Sequence, residues 1–300
     1  MMDGPQWLEE RRKGIGGSDV AAIMGLSPYK TAYQVYREKR KEVESWHGNN
    51  VTDWGKRMEP AIRQWYSDTT GRVVRLPEKI LYHTKHRYML ASLDGFTDDN
   101  RGLEIKTSRN SRGWGEPGTN QIPDYYMLQV QHYMGVTGLP VFDVPVSIGG
   151  ASPEIYEVPA DMELIGLIIE VEGEFWARVE NGNPPEPVTY ADAVQRFGTS
   201  ATEGIIVATN KEFEIISELA EHRDTIKRLQ DEEESLKAKL IITLGEAGNI
   251  IAAPDGKQLI TYRLSKGRTM FDAKTLEAEM PDIYRQYVKY SEPSRRFILK

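Results

Sequence analysis

The chain has 300 residues, of which 39% are hydrophobic and 28% charged, with no cysteine and a formal net charge of −7. That is the composition of a globular protein. It excludes disulfides, thiolate nucleophiles, cysteine zinc sites and cysteine-ligated iron–sulfur clusters. No apolar run is long enough for a membrane span, and the N-terminal stretch lacks a signal-peptide core, so a cytoplasmic location is expected. Charge is unevenly spread. Residues 1–113 carry 20 Lys and Arg against 15 Asp and Glu, residues 153–192 carry 1 against 10, and residues 256–300 carry 10 against 5. Two basic regions therefore flank an acidic middle, a distribution that fits either ordinary scatter or a DNA-binding face.

In chain order, SDVAAIM at 18–24 reads as a helix capped by Ser18 or Asp19 and stopped by Gly25 and Pro28. Thr31 caps a second helix, TAYQVYREKRKEV, with a basic last turn. A third runs from about Asp53 to Thr70, and Pro60 inside it predicts a kink or restart. Lys79–His83, Tyr88–Leu93 and, after the turn TDDNRG, Leu103–Thr107 read as an antiparallel meander. Residues 109–124 form a loop, Tyr125–Val136 a helix, VFDVPVSIG a strand and Asp161–Glu180 an amphipathic helix, followed by the linker NGNPPEP.

Beyond it, Phe213, Ile216, Leu219, Ile226, Leu229, Leu236 and Leu240 predict one long helix over about 209–245. DGKQLITYRLS reads as a hairpin, AKTLEAEM as a short helix and RRFILK as a terminal strand. No internal repeat is evident. Residues 1–200 and 201–300 are expected to be a core domain and a C-terminal extension.

The residues that carry chemistry lie in ASLDGF and, ten residues on, LEIKTS. In a strand, Glu104 and Lys106 share one face, while Leu103, Ile105 and Thr107 share the other. Asp94 ends the preceding strand. If the two strands pair, Asp94 and Glu104 stand together and repel unless a cation lies between them. A hard divalent ion with oxygen ligands, Mg²⁺ with Mn²⁺ as substitute, suits such a site. It would lower the pKa of a bound water and neutralise charge growing on a phosphodiester. Lys106 would orient that water and offset negative charge. An isolated strand with one solvated face is the plain alternative. Of the five histidines (His47, His83, His86, His132 and His222), none has metal-site spacing, and all are read as structural.

Four blocks, WLEERRKGIGGSDVAAIMGLSPYKT at 7–31, WGKRMEP at 54–60, ASLDGF with LEIKTS at 91–108, and YYMLQVQHYMGVTG at 125–138, resemble in order the YqaJ-type viral recombinase and phage lambda exonuclease family of the PD-(D/E)xK nuclease superfamily. The resemblance implies an α/β restriction-endonuclease-like core, a mixed central sheet flanked by helices, here with a C-terminal long helix and small α+β extension. It implies Glu59 and the Ile105 backbone carbonyl as further metal ligands, Gln129 as an active-site glutamine, and Tyr126 one turn before it as a DNA contact. It also implies a 5′-phosphate pocket at Arg12 and Ser18, where a glycine-rich turn entering a helix offers N–H groups to an anion. The family's proline before the catalytic Asp is Leu93 here. The Arg295–Arg296 pair is either a phosphate contact or merely solvated.

The function expected on this ground is a Mg²⁺-dependent 5′-to-3′ exonuclease on linear double-stranded DNA. It would act by two-metal hydrolysis in phage-type homologous recombination, with a single-strand annealing protein as partner and a ring-like homo-oligomer as assembly. An endonuclease of the same fold and a non-catalytic DNA-binding or assembly protein are the alternatives. Bacterial cytoplasm is the expected location if the gene is phage- or prophage-borne.

Overall fold

A computed structural model describes residues 5–44, 48–199, 204–246, 248–291 and 293–300; His47 lies outside them. The chain divides into two compact units, 1–196 and 197–300.

The first unit contains, in order, α1 (Pro5–Arg12), β1 (Ile15–Gly16), α2 (Gly17–Ile23), α3 (Ala32–Lys39), α4 (Asn50–Thr70), β2 (Val74–Arg75), β3 (Leu81–Tyr82), β4 (Met89–Ala91), β5 (Gly95–Thr97), β6 (Gly102–Leu103), β7 (Lys106–Ser108), α5 (Asp124–Thr137), β8 (Val141–Ile148), β9 (Glu154–Pro159) and α6 (Met162–Asn181), with α7 (Tyr190–Phe197) at its end. Capping explains several boundaries. Thr31 accepts from the Gln34 N–H while the Gln34 side chain returns to the Thr31 N–H. Asn49 opens α4 with the same reciprocal arrangement, through Thr52, and Asp161 opens α6 by accepting the Glu163 and Leu164 N–H groups. Gly71, Gly138 and Gly182 end α4, α5 and α6 in the left-handed region. The helix α4 continues through Pro60 without the expected restart; a proline inside a helix costs one internal hydrogen bond but does not oblige a break where the rest of the helix is held.

The larger sheet runs β2–β5–β6–β8, with β7 and β9 also on β8. Here β6 and β7 are two pieces of one line. Gly102 and Leu103 pair parallel with Phe142 and Asp143, and Lys106–Ser108 with Val146–Ile148, in unchanged register. Across the gap, the Glu104 N–H still donates to the Asp143 carbonyl at 3.1 Å. The antiparallel pairs β2–β5, β5–β6 and β8–β9 complete a mixed sheet. The expected meander is corrected in one respect. β3 and β4 form a hairpin, but with β1 they belong to a separate three-stranded sheet, while the strand line 102–108 belongs to the larger one.

Helices cover the large sheet. The main core gathers Val20, Val35, Val130, Met134, Phe142 and Ile168 on α2, α3, α5, β8 and α6. A second cluster packs Leu103 and Ile105 against Ile62 and Tyr66 of α4. The strand line 102–108 thus gives its apolar side chains to α4, as the alternation of LEIKT requires. Asp143, buried in β8, is held by Arg101 at 2.7 and 2.8 Å and by the Tyr66 hydroxyl; it is a paired internal charge.

The second unit holds α8 (Asn210–Leu244), the hairpin β10 (Ile250–Ala252) with β11 (Gln258–Thr261), α9 (Ala273–Glu279) and α10 (Pro281–Tyr287). The RRFILK segment is not a strand. Among residues 293–300 the Arg295 N–H is spent on the Gly198 carbonyl at 2.7 Å, and no ladder forms. The architecture is the expected mixed α/β core with a flanked central sheet and a C-terminal extension of long helix and small β-hairpin. No helix among the described residues is long and apolar enough to cross a membrane.

Candidate active site

The pairing of Gly95 with Leu103 brings Asp94, just before β5, beside the strand line that carries Glu104 and Lys106. Asp94 Oδ2 accepts the Ile105 N–H at 2.8 Å. Ile105 therefore meets Asp94 through its N–H, and its carbonyl, the expected ligand atom, lies in the gap between β6 and β7. On the same face, Lys106 Nζ donates to Glu104 Oε1 at 2.6 Å and to Gln129 Oε1 at 3.0 Å. Gln129 Nε2 donates in turn to Glu104 Oε1 at 2.6 Å and to the Tyr133 hydroxyl at 3.1 Å. The Lys106 ammonium stands 4.4 Å from the centre of the Tyr126 ring, a cation–π distance. Asp94, Glu104, Lys106, Gln129 and Tyr126 are thus one constellation.

Glu59 on α4 is within electrostatic reach of it. Burial, then the charge of Asp94, pushes its carboxyl up to about 7. Burial, partly countered by Lys106 and reinforced by Asp94 and Glu59, pushes Glu104 up to about 8, and burial also raises Asp94. Lys106 is displaced upward: burial opposes its charge, but Glu104 and Asp94 outweigh it. Three carboxylates that hinder one another's ionisation form a site short of positive charge. Glu104 Oε2 is buried and has no hydrogen-bond partner, which leaves an oxygen with unspent acceptor capacity. Among the described residues, no group of three or more His, Cys, Asp or Glu side chains stands close enough to hold a metal ion alone. The all-oxygen donor set, the mutual carboxylate repulsion and the orphaned Oε2 fit a hard divalent cation whose shell is completed by carbonyl, water or phosphate oxygens.

Two residues here escaped sequence reasoning. Arg63, one turn after Glu59, donates from Nε to the Asp94 carbonyl at 3.0 Å, and its Nη2 is buried without a partner. Tyr133, one turn after Gln129, is buried against the glutamine and raised well above its ordinary pKa by burial and then by the charge of Glu104. The one-turn spacing from Glu59 and Gln129 was the available signal for both.

The segment before α2 needs a correction. Ser18 is paired with Arg11, not Arg12: Arg11 Nη2 donates to Ser18 Oγ at 2.7 Å. Arg12 turns toward Glu9 and the Val43 carbonyl. Buried Asp19 lies beneath, held by Lys39 at 2.7 Å, Arg11 at 3.6 Å and Lys30 at 3.7 Å. Burial opposes its charge, but these three cations outweigh burial and lower its pKa. The Gly16 N–H is taken by Asp19 Oδ2 at 3.2 Å. A Cβ on Gly17 would lie 2.5 Å from the Tyr133 ring and 2.9 Å from Gln129, and one on Gly14 would meet the Tyr88 carbonyl at 2.3 Å. These glycines permit close approach. Through Gly17, the Arg11–Ser18 pair is carried next to Gln129 and Tyr133.

His132 is buried and structural. It bonds Glu172 Oε1 through Nδ1 at 2.7 Å and the Leu90 carbonyl through Nε2 at 2.8 Å. His83 Nδ1 accepts the Lys85 and His86 N–H groups in a turn, and His222 is exposed on α8. Arg295 and Arg296 belong to the second unit.

An Asp before one strand and a Glu-x-Lys on its neighbour, on a mixed sheet flanked by helices, is the arrangement that the resemblance to the PD-(D/E)xK nucleases implies. Residues 6–140 match the model of the YqaJ-like viral recombinase domain. It is 29% identical to protein YqaJ of Bacillus subtilis over 316 aligned positions, covering 100% of this chain and 95% of that one. A protein of African swine fever virus is 26% identical over 178 positions, covering 49% of each chain. An alkaline exonuclease from Laribacter hongkongensis, LHK-Exo, has the same fold, with a TM-score of 0.50 at 20% identity over 59% of this chain and 93% of that one; the same protein has been solved in complex with dAMP.

Proposed function

We propose that the chain is a divalent-metal-dependent deoxyribonuclease that degrades linear double-stranded DNA from 5′ ends. The observation that carries this reading is the constellation of Asp94, Glu104 and Lys106 with Gln129, in which a buried Glu104 oxygen has no partner. Asp94, Glu104, the Ile105 carbonyl and Glu59 would hold Mg²⁺, or Mn²⁺ in its place. The bound ion supplies a water of lowered pKa and neutralises charge on the scissile phosphate. Lys106 places a positive charge where negative charge grows, and its bonds to Glu104 and Gln129 fix its position before substrate arrives. Gln129 orients both. Tyr126 bounds the ammonium on its ring face and is available to a nucleotide.

The preference for 5′ ends rests on Arg11 and Ser18. An exposed hydroxyl beside a half-buried guanidinium, with Lys30 and Lys39 close by, suits a terminal phosphate. The family supports an exonuclease over an endonuclease, and by the same resemblance a role in recombination with a single-strand annealing partner. Arg295 and Arg296 are retained as candidate backbone contacts.

The test uses linear and covalently closed circular duplexes of one sequence, the linear one labelled at either 5′ or 3′ ends. A 5′-end exonuclease releases 5′ label first as mononucleotide and leaves the circle intact. Cutting of the circle at a comparable rate makes the protein an endonuclease, and 3′ label released first reverses the polarity.

A further inference from the structure

The 35-residue helix α8 is exposed along nearly its whole length. Only Leu244 is buried, and Leu219 and Ala220 are partly covered. Yet Ile215, Ile226, Leu229 and Leu236, between 52% and 59% exposed, lie with Leu219 and Leu240 on one stripe. A single helix with such a face open to water is marginal.

The stripe is a seam of two seven-residue series. Glu212, Leu219, Ile226, Glu233 and Leu240 form one, and Ile215, His222, Leu229, Leu236 and Thr243 the other. That is the a/d pattern of a coiled coil. Its polar members decide the partner. In a parallel pair of identical helices each position meets its own copy, so Glu233 would face Glu233 and Glu212 would face Glu212. In an antiparallel pair the two series face each other. One register matches every layer: Ile215 meets Leu240, Leu219 meets Leu236, Ile226 meets Leu229, His222 meets Glu233, and Glu212 meets Thr243. A shift of one heptad either way sets Glu233 against Ile215 or Leu229, and His222 against Ile226 or Leu240. The matched register also brings Glu218, beside the seam, near Lys239 of the other helix. Glu233 is bonded by Lys237 at 2.6 Å through Oε1, which leaves Oε2 for an imidazole.

We propose that α8 pairs antiparallel with the α8 of a second copy of this chain, centred between Lys227 and Arg228, so that each His222 lies against the Glu233 of the other. Polar layers of this kind fix register and orientation while the apolar layers supply affinity. None of the residues of the constellation around Glu104 belongs to α8, so pairing and hydrolysis can be measured separately.

The chain has no cysteine, so introduced thiols report the register directly. Full-length Leu219→Cys and Leu236→Cys proteins are equilibrated in a glutathione redox buffer, separately and mixed, and the mass of the unmodified protein is measured by light scattering. The expected mass is an even multiple of the 34.1 kDa chain. The mixture is expected to give a disulfide-linked dimer, and each variant alone is expected not to link, because like positions stand about 25 Å apart in this register. Self-linking of Leu219→Cys means a parallel pair and overturns the proposal. A mass of one chain or an odd multiple, or no link in the mixture, overturns it as well and assigns the stripe to this chain's own core or to a different protein. Ile226→Asp with Leu229→Asp places four carboxylates in the central layers and is expected to halve the mass; an unchanged mass rejects α8 as the interface.

Discussion

The side-chain amide of Gln129 donates to Glu104 Oε1 across 2.6 Å, joining α5 to the strand line of the central sheet. The same amide accepts from Lys106 at 3.0 Å, so one glutamine holds both members of the Glu-x-Lys pair. The Glu-x-Lys pair is thereby positioned by a neutral group that adds no charge of its own. Replacement of Gln129 by Ala is expected to lower turnover on linear duplex DNA by about 10²-fold, the scale of losing one pre-positioned donor. Gln129→Glu is expected to be worse, because it adds a negative charge beside Glu104. Turnover unchanged in Gln129→Ala, measured at saturating Mg²⁺, assigns the glutamine to packing alone.

The raised carboxylates make stability depend on pH. Burial pushes Glu104 up to about 8 and Glu59 up to about 7, above the ordinary glutamate value. A carboxyl whose folded pKa is raised stabilises the fold while protonated, and that contribution is lost as pH rises through the folded value. Metal-free protein is therefore expected to lose stability between about pH 5 and pH 8. Mg²⁺ restores it at the upper end by favouring the ionised forms. Thermal melts in EDTA and in Mg²⁺ at pH 6 and pH 8.5 check this. The EDTA loss should shrink in Glu104→Gln, and a melting point that rises with pH in EDTA contradicts the assignment.

Arg11 and Arg12 separate two readings of the same sequence block. Arg11 meets Ser18 at 2.7 Å, whereas Arg12 is directed to Glu9 and the Val43 carbonyl. Arg11→Ala is expected to erase a preference for 5′-phosphorylated over 5′-hydroxyl linear duplex, and Arg12→Ala to retain it. Initial rates on the two substrates decide. A loss confined to Arg12→Ala returns the pocket to the residue that the sequence suggested.

His132 is predicted to be a stability residue. Nε2 faces the Leu90 carbonyl and so carries hydrogen, while Nδ1 shares a proton with Glu172. Burial opposes a charge on the ring, but Glu172 outweighs it and raises the pKa of the histidine. His132→Ala leaves Glu172 buried without its counter-charge and is expected to cost about 3–5 kcal/mol. Urea unfolding measures it, and a cost below about 1 kcal/mol contradicts a charged pair.

The fold was legible where the pattern was local. The alternation of LEIKT placed Leu103 and Ile105 toward α4 and left Glu104 and Lys106 on the other face. The period of Phe213 to Leu240 gave α8 to within a residue or two. Less was legible where long-range pairing decides. β1 and β2 are two-residue strands defined by their partners Met89–Leu90 and Phe96–Thr97, and β9 exists through its register on β8. The glycines of GIGG read as an anion-binding turn, whereas Gly14 and Gly17 answer to Tyr88 and Tyr133, distant in sequence. The same distance hid the choice between Arg11 and Arg12, since neighbouring residues on α1 point to different places.

The assignment of Asp94 and Glu104 as the hydrolytic centre is tested most directly by release of nucleotides from linear duplex DNA with Mg²⁺, comparing the unmodified protein with Asp94→Asn and Glu104→Gln variants whose melting shows them folded. The predicted result is Mg²⁺-dependent release by the unmodified protein, stopped by EDTA and reduced by at least about 10³-fold in each variant. Release at the unmodified rate from either folded variant, or equal release in EDTA, contradicts it.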